Sequence, residues 1–402
     1  MRDGWNEVQL GELIVQRKDF TSVEPDAEYV ILGVQRSGWG FVEREPIKGS
    51  AQKFSKLMRV EKEDLVYRTI TAFEAPSAVV TQRESGRFVT PQTFPVFRID
   101  ADRLLPTFMS LLTTSPHFHE QMASRCTGSV LRRKTLSVGA FKSIPVFLPP
   151  LAEQRRIVDL VGALDDAIEA VETTRAALAE LTTARLASLF DTSDGPVVGL
   201  EDISSFASGA AFKPSAQGDP DGTIPFIKVS DMNLPGNETE ILRANNYVTV
   251  DGLKTLKAKA WLAGTTVFPK VGAALLTEKR RILATDTAFD NNVMGLVPGP
   301  GVDPWFLFGF MRTVKLGDFA QVGALPSVNQ KHLRALRVPK LDTGQQQHVA
   351  DEVRALDDSR VAQAAAVASL RELRTNLLSV LLTGEHEVPT SYDELIDEEA
   401  VV

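Results

Sequence analysis

Two stretches of the chain have the hydrophobic spacing of long amphipathic helices. The first follows Pro149-Pro150 and ends before Gly195-Pro196, which are typical helix boundaries. Within it, the seam positions alternate in steps of four and three, as in a coiled coil. They are Ile157, Val161, Leu164, Ile168, Val171, Arg175, Leu178, Thr182, Arg185 and Leu189. The pattern predicts a helix of about 38 residues, roughly 57 Å long at 1.5 Å per residue.

The second stretch repeats the first at an offset of 192 residues. Its seam positions are Val349, Val353, Leu356, Arg360, Gln363, Val367, Leu370, Arg374, Leu377 and Leu381. Residues 163–166 (ALDD) recur as residues 355–358, and Gln154 falls on Gln346. Two unrelated helices in separate cores would be the alternative interpretation. The shared register favours two helices that bury their stripes against each other as an antiparallel coiled coil.

The region before each long helix mixes short β-rich runs with turn residues and ends in a short helical stretch, 105–115 or 304–316. The β-rich runs are 29–34, 78–81 and 94–99 in the first region, and 224–229, 265–268 and 294–297 in the second. Faint repeats link the regions; for example, VQLGEL at 8–13 is similar to VGLEDI at 198–203. The predicted fold class is α+β, with two globular modules alternating with two paired helices in a pseudo-twofold arrangement.

Charge follows the same division. Residues 1–150 carry 20 Lys and Arg against 17 Asp and Glu, and residues 196–342 carry 16 against 14. The helical blocks are acidic, with 4 against 9 in residues 151–195 and 4 against 12 in residues 343–402. The net charge of −8 therefore conceals two basic modules. Such an alternation is compatible with nucleic-acid binding by the modules and with protein contacts along the helices.

Composition narrows the class of protein. A length of 402 residues with 43% hydrophobic and 24% charged residues is typical of two or three globular domains. A single cysteine, Cys126, excludes an intramolecular disulfide framework and a cysteine-rich zinc ribbon. The start lacks a signal-peptide pattern, and the longest apolar run, 305–311, is too short to cross a bilayer. We expect a soluble, cytoplasmic protein.

A search for catalytic motifs finds none that is specific. The sequence has no phosphate-binding P-loop, zinc-protease motif, nucleophile elbow or Asn-Pro-Pro-aromatic tetrapeptide. The pair His117 and His119 lacks a third ligand, which favours a helix-surface pair over a metal site. We predict no catalytic residue, metal or cofactor on this chain.

Basic stretches remain as candidates for binding chemistry. No acidic residue occurs between Glu120 and Glu153, whereas several arginines and lysines do. Such a loop offers guanidinium forks and backbone amides to phosphate. The matching stretch of the second module, 323–331, offers amide side chains that suit adenine edges. The candidate DNA-binding residues are Arg68, Arg125, Arg132, Arg133, Lys134, Lys228, Lys257, Lys270, Asn329 and Lys331.

Residues 144–157 (IPVFLPPLAEQRRI) resemble a boundary in the specificity (S) subunits of type I restriction-modification enzymes. There, a target-recognition domain ends in a proline-rich strand, and a Pro-Pro-Leu-x-Glu-Gln run opens a spacer helix. The second copy at 338–347 is degraded; it keeps one proline and the glutamine. Residues 224–231 and 371–385 also resemble segments of this family. The resemblance covers nearly the whole chain.

The resemblance implies a non-catalytic, DNA-binding subunit used in defence against foreign DNA. Each target-recognition domain would read one half of a bipartite site. The helices would set the gap and dock two methyltransferase (M) subunits, which supply S-adenosylmethionine chemistry and DNA methylation. Restriction/translocase (R) subunits would supply cleavage. The implied candidates for the spacer and for partner docking are Leu151, Glu153, Gln154, Ile157, Val161, Leu164, Gln346, Val353, Leu356, Leu377 and Leu381.

The predicted division has five parts. They are a first recognition domain (1–150), a central spacer helix (151–195), a second recognition domain (196–342), a C-terminal spacer helix (343–384) and an acidic, disordered tail (385–402). Two other functions stay open at this point. One is a protein-interaction scaffold without a DNA role, and the other is a self-contained DNA-modifying enzyme, which the empty motif search disfavours.

Overall fold

The chain divides into two compact units that each contain parts of both long helices. The computed structural model describes residues 4–130, 133–193, 195–321, 326–328 and 330–394. Unit 1 consists of Met1–Glu169 with Ala368–Val402, and unit 2 is Ala170–Val367.

Unit 1 is built mainly from short strands and three short helices before the first long helix begins. The strands are β1 (Asn6–Gln9), β2 (Ile14–Gln16), β3 (Phe20–Ser22), β4 (Glu28–Tyr29), β5 (Leu32–Val34), β6 (Phe41–Glu43), β7 (Ile47–Lys48), β8 (Lys56–Arg59), β9 (Leu65–Tyr67), β10 (Ser77–Val79), β11 (Phe88–Val89), β12 (Val96–Ile99) and β13 (Pro145–Leu148). The helices are α1 (Pro106–Thr114), α2 (Pro116–Ser124), α3 (Val138–Lys142) and the long α4 (Leu151–Leu189).

The main sheet of unit 1 has the strand order β10-β9-β12-β2, and its neighbours are antiparallel. A second, three-stranded sheet has the order β11-β8-β3. The largest core cluster places Tyr67, Phe97, Phe108 and Phe141 together, all fully buried. The ring centroids of Tyr67 and Phe141 are 3.9 Å apart. This aromatic layer fixes β9 and β12 against helices α1 and α3.

Unit 2 has a similar succession of short strands and short helices before the second long helix. Its strands are β14 (Val197–Gly199), β15 (Ser204–Ser208), β16 (Ile224–Ile227), β17 (Glu240–Ile241), β18 (Tyr247–Val248), β19 (Thr266–Pro269), β20 (Arg281–Leu283), β21 (Ala288–Phe289), β22 (Val293–Pro298), β23 (Ala320–Gln321), β24 (Ser327–Val328) and β25 (Arg337–Pro339). Its helices are α5 (Leu200–Ile203), α6 (Val250–Leu256), α7 (Pro304–Thr313), α8 (Gln330–Arg334) and the long α9 (Thr343–Leu382).

The main sheet of unit 2 has the order β15-β22-β19-β20-β17. Its first four strands take the same places, in the same antiparallel sense, as β2, β12, β9 and β10 of unit 1. In both units a strand before the sheet pairs with the strand before the long helix, β1 with β13 and β14 with β25. The predicted α+β fold with two long helices is confirmed, and the duplication extends to the strand order.

Within unit 1, the first part of α4 packs antiparallel to the last part of α9. Ile157 and Val161 share a buried cluster with Leu378 and Leu381. Further along α4, the carboxylate of Asp165 accepts two hydrogen bonds from the guanidinium of Arg374 in α9. Residue numbers therefore fall along α9 as they rise along α4, which defines the antiparallel direction.

Within unit 2, the last part of α4 and the first part of α9 also run antiparallel, and here the predicted seam needs a correction. Arg185 is exposed and forms a bidentate pair with Glu352, at 2.8 and 2.9 Å. The buried positions are Leu186 and Phe190. The ring of Phe190 lies 5.4 Å from that of Phe306 in α7, so the end of α4 turns its apolar stripe toward the globular part of unit 2.

The start of the acidic tail differs from the expectation of disorder. Val388 is 2% exposed within the core of unit 1, and Tyr392 packs against the same cluster. Asp393 pairs with the buried Arg156 at 3.1 Å. The tail prediction is wrong for residues 385–394, because apolar side chains at two positions outweigh the local acidity. Residues 395–402 lie outside the described residues. None of the described helices is both long and apolar enough to span a membrane.

Candidate nucleic-acid interface and helix boundaries

In unit 1, two loops that carry predicted DNA-binding residues are joined by backbone hydrogen bonds. The amide of Thr71, in the loop after β9, donates to the carbonyl of Lys134 at 2.9 Å. The amide of Leu136 donates to the carbonyl of Thr69, also at 2.9 Å. The hydroxyl of Tyr67 donates to the carbonyl of Leu136 at 3.1 Å, and burial raises the pKa of this phenol, which keeps it a donor. The loop pair is thus anchored to the aromatic core.

The basic side chains of this loop pair differ in how they are held. Arg68 donates to Glu74 at 2.9 Å and to the carbonyl of Ile70 at 3.0 Å. Arg125 ends helix α2 and donates to the carbonyl of Gln121 at 3.1 Å. Arg133 is exposed and Lys134 is partly exposed. Arg132 lies outside the described residues. The structure therefore brings Arg68, Arg133 and Lys134 onto adjoining segments.

Unit 2 has the corresponding loop pair after β19. The amide of Val328 donates to the carbonyl of Lys270 at 3.0 Å, and the amide of Gly272 donates to the carbonyl of Pro326 at 2.8 Å. Lys331 is exposed in the first turn of α8. Asn329 lies outside the described residues. Lys270 directly follows β19 as Arg68 follows β9, so each unit places one cation at the same point of the same sheet.

The remaining predicted basic residues of unit 2 lie in other settings. The ammonium of Lys228 donates to Gln217 at 2.7 Å and sits 5.3 Å from the ring centroid of Phe212. Lys257 ends helix α6 in a left-handed backbone conformation, and its side chain is exposed. The contacts described for Lys228 and the position of Lys257 do not involve the loop that carries Lys270. We retain both lysines as predictions for DNA contact and assign them no place in the loop pair.

A glutamine near the start of each long helix bonds to the residue just before an earlier short helix, α1 in unit 1 and α7 in unit 2. In unit 1, the side-chain amide of Gln154 donates to the carbonyls of Pro149 and Arg103, each at 2.9 Å, and its oxygen accepts from the amide of Leu105 at 2.8 Å. In unit 2, Gln346 donates to the carbonyl of Leu341 at 3.0 Å and accepts from the amide of Asp303 at 3.0 Å. The spacing of 192 residues thus preserves one bonding pattern in two places.

The two helix starts are stabilised differently around this shared glutamine. In unit 1, Glu153 is buried and accepts a hydrogen bond from the indole of Trp5 at 3.0 Å. In unit 2, Asp342 and Gln345 form a capping box, because each side chain accepts from the other residue's backbone amide, at 2.9 and 3.0 Å. Sequence inspection missed this box, although Asp-x-x-Gln before a helical run is its signature.

Across the described part of the chain, no three His, Cys, Asp or Glu side chains come together as metal ligands. The thiol of Cys126 donates to the carbonyl of Met122 at 3.3 Å. Burial raises the pKa of this thiol, and the nearby charge of Lys134 partly offsets the rise. These groups border the loop pair of unit 1.

Comparison with known proteins finds a family model that matches the first part of the chain. The family model of the type I restriction modification DNA specificity domain matches residues 2–180. Residues 2–180, which make up less than half of the chain, are therefore similar to the DNA specificity domain of type I restriction-modification systems. A comparison with curated protein sequences found no significant match. The resemblance stated from the boundary motif is confirmed.

Solved structures show that the fold of specificity subunits extends over both halves. The HsdS subunit from Thermoanaerobacter tengcongensis is 16% identical, with a TM-score of 0.52, and the match covers 96% of this chain and 98% of that one. A second match is a chain from a structure that describes complex assembly and conformational transition of the type I R-M system. It is 18% identical, with a TM-score of 0.63, and the match covers 95% of this chain and 98% of that one. The S subunit from M. genitalium is 15% identical, with a TM-score of 0.53 and coverages of 94% and 96%.

Most residues predicted for partner docking are buried inside their own unit. Gln154, Ile157, Val161 and Val353 are 0% exposed. The others range from buried to partly exposed: Leu151, Glu153, Leu164, Gln346, Leu356, Leu377 and Leu381. Side chains that are fully buried against this chain fit the spacer part of that prediction, and partner docking stays a prediction. A partner would have to use other side chains on these helices.

Proposed function

We propose that this chain is the DNA-recognition subunit of a type I methylation-restriction complex and is itself non-catalytic. The match of residues 2–180 to the DNA specificity domain supports the coarse role, DNA specificity. The finer proposal is that each globular part reads one half of a bipartite site. The observation that carries it is the paired loop system, built twice on the same sheet order, with a cation directly after the equivalent strands β9 and β19.

The long helices would act as a ruler between the two readers and as the site where two M subunits bind. Their partly exposed and exposed positions remain for that contact, since the seam positions are occupied within each unit. The M subunits would supply S-adenosylmethionine chemistry, and R subunits would supply ATP-driven cleavage. This division of labour is consistent with a chain whose basic loops suit phosphate contact and positioning.

A domain exchange tests the half-site proposal. The full chain is expressed with its M partner, and adenine methylation is mapped across a host genome. We expect one bipartite motif. Replacing residues 196–342 with the equivalent block of another specificity subunit should change one half of that motif only. A change in both halves, or scattered methylation with an intact partner, would contradict the proposal.

Binding measurements separate DNA recognition from a scaffold role. Replacing Arg133 and Arg132 together with alanine should weaken duplex binding for all sequences, because phosphate contacts carry no base information. Affinity should also fall steeply with salt, since bound phosphates release counterions. Arg83→Ala serves as the control, because this exposed arginine lies beyond the opposite end of β10 from the Arg68 loop. Binding that is weak and independent of salt would favour the scaffold.

A further inference from the structure

Unit 2 contains a polar cavity in which arginines outnumber carboxylates. The cavity has a volume of ≈ 300 Å³ and opens to solvent. Four arginines contribute to its wall, together with three acidic side chains and one phenylalanine: Arg280, Arg281, Arg312, Arg360, Glu238, Glu278, Asp357 and Phe308. The arginines come from β20 and the residue before it, from α7 and from α9, so they surround the space from several sides.

Two of the three carboxylates are already engaged by several donors. Asp357 is 2% exposed and accepts from Arg312 and Arg360, each at 3.0 Å, and from the hydroxyl of Thr239. Glu278 accepts from Arg280 at 2.8 Å and from two backbone amides of the 3₁₀ turn Leu316–Phe319, at 2.9 and 2.8 Å. Their negative charge is therefore spread over several donors.

The positive charge of the cavity is less well compensated. The guanidinium of Arg281 donates to three backbone carbonyls, those of Asn237, Arg280 and Met232. Carbonyl oxygens are neutral, and the carboxylates of Glu238 and Asp357 act on Arg281 through their charge, without a hydrogen bond among the described contacts. Arg280 is 8% exposed, and its Nε is buried without a hydrogen-bond partner among the described residues. A buried donor without an acceptor costs free energy, which a bound acceptor would recover.

The pKa shifts of the cavity arginines reflect their burial and their closeness to one another. Burial lowers the pKa values of Arg280, Arg281 and Arg312. The charge of Arg360 lowers those of Arg281 and Arg312 further, whereas the carboxylates of Asp357, Glu238 and Glu278 act in the opposite direction. Neighbouring guanidinium groups in a partly desolvated space repel one another, and an anion placed among them would relieve that repulsion.

We propose that this cavity binds a small phosphate-class oxyanion. Arginine forks suit the tetrahedral oxygens of phosphate, and the recessed cavity suits a free phosphate or a terminal phosphate monoester more than the backbone of a duplex. The bound anion would connect α9, through Arg360, to β20, through Arg281, and so stabilise this part of unit 2. The site lies apart from the Lys270 loop pair in sequence and does not rest on the DNA-binding proposal.

The wild-type chain provides the first test, with inorganic phosphate as the probe. Phosphate is titrated against the full chain at constant ionic strength, with chloride as the replaced anion, by calorimetry and by the melting temperature. We expect saturable phosphate binding that chloride does not reproduce. Identical responses to phosphate and chloride would overturn the proposal, and this arm needs no variant.

Variants of α9 locate the site. Arg360→Gln removes a guanidinium whose side chain is 35% exposed and leaves Asp357 paired with Arg312. Its phosphate affinity should fall at least about 10-fold, and Arg360→Lys should recover part of the loss because it keeps the charge. Arg354→Gln is the matched control, since Arg354 lies on the same helix, is 40% exposed and pairs with Asp351 outside the cavity. Equal losses in Arg354→Gln and Arg360→Gln would contradict the assignment.

A competition arm distinguishes the source of the phosphate. If an excess of non-specific duplex leaves phosphate binding unchanged, the ligand is a free phosphate or monoester. If duplex competes, the cavity accepts a DNA phosphodiester. Either result supports an oxyanion site, whereas displacement of phosphate by an acidic peptide but not by duplex or nucleotide would assign the cavity to a protein partner and overturn it.

Discussion

The two helix boundaries show what a duplicated fold retains and what it replaces. Both keep a glutamine that bridges the helix start to the residue just before an earlier short helix. Unit 1 surrounds it with two prolines and a buried Trp5–Glu153 hydrogen bond, whereas unit 2 uses the Asp342–Gln345 capping box. The glutamine is kept in both units because no neighbouring residue can reach the same distant backbone groups. Local helix starts can be stabilised in several ways.

The largest difference should appear when the bridge is removed from each unit. Gln154→Ala deletes three hydrogen bonds and leaves buried backbone groups unpaired, which should lower the free energy of unfolding of unit 1 by about 3 kcal/mol. Gln346→Ala deletes two bonds at a partly exposed side chain and should cost unit 2 about 1–2 kcal/mol. Hydrogen exchange resolved by peptide would assign each loss to its unit.

A surface glutamine provides the control for that pair. Gln347 lies next to Gln346, is exposed and donates only to Asp351 among its described contacts. Gln347→Ala should change stability by less than about 0.5 kcal/mol. Equal costs for the two bridging glutamines would show that burial does not distinguish the units.

The tail provides a second asymmetry, because it packs on unit 1. Val388→Ala removes a buried side chain and should destabilise unit 1 by about 2 kcal/mol, with exchange in unit 2 unchanged. Val250→Ala is the control, since Val250 is 59% exposed. If Val388→Ala left the exchange of unit 1 unchanged, the docked position of the tail would be wrong.

Periodicity and the 192-residue offset predicted both long helices, their register and the alternation of modules. They could not reveal that Gln154 is buried, because its acceptor and donor groups lie up to 51 residues away in sequence. At the end of α4 the buried positions are Leu186 and Phe190 rather than the predicted Arg185 and Leu189, and Phe190 contacts α7. Arg280 and Arg281 are distant in sequence from Arg312 and Arg360, and only folding places the four together in a cavity. Tertiary contacts decide each of these outcomes.

The loop pairs give a smaller contrast in DNA binding. Arg68→Gln and Lys270→Gln should each reduce the slope of log affinity against log salt by about 1, if each cation contacts one phosphate. Arg68→Gln should weaken binding more, because it also leaves the carboxylate of Glu74 unpaired beside the DNA. Lys62→Gln is the control, as Lys62 is exposed and pairs with Glu63. Unchanged slopes in both loop variants would remove these loops from the interface.

The smallest effect concerns Cys126, which reports on unit 1 because it is the only cysteine of the chain. Burial raises the pKa of its thiol, so at neutral pH less thiolate is present than in a free cysteine and alkylation should be slower. The charge of Lys134 lowers the pKa of this thiol, so Lys134→Gln should raise it. Alkylation should then slow a further few-fold at neutral pH, and its rate should rise only at higher pH. Iodoacetamide rates between about pH 7 and pH 9.5 measure this.

The same alkylation rate, measured with duplex DNA present, tests whether DNA binds at this loop pair. Thr127 bridges to Thr135 beside Lys134, so DNA seated on this loop pair would cover the approach to Cys126. Alkylation should then slow in the presence of duplex, and the protection should fade as salt rises, because the phosphate contacts weaken. Protection that persists at high salt would indicate closure of the loop itself rather than coverage by DNA. Faster alkylation in Lys134→Gln would contradict the charge effect, since loss of a cation cannot stabilise a thiolate.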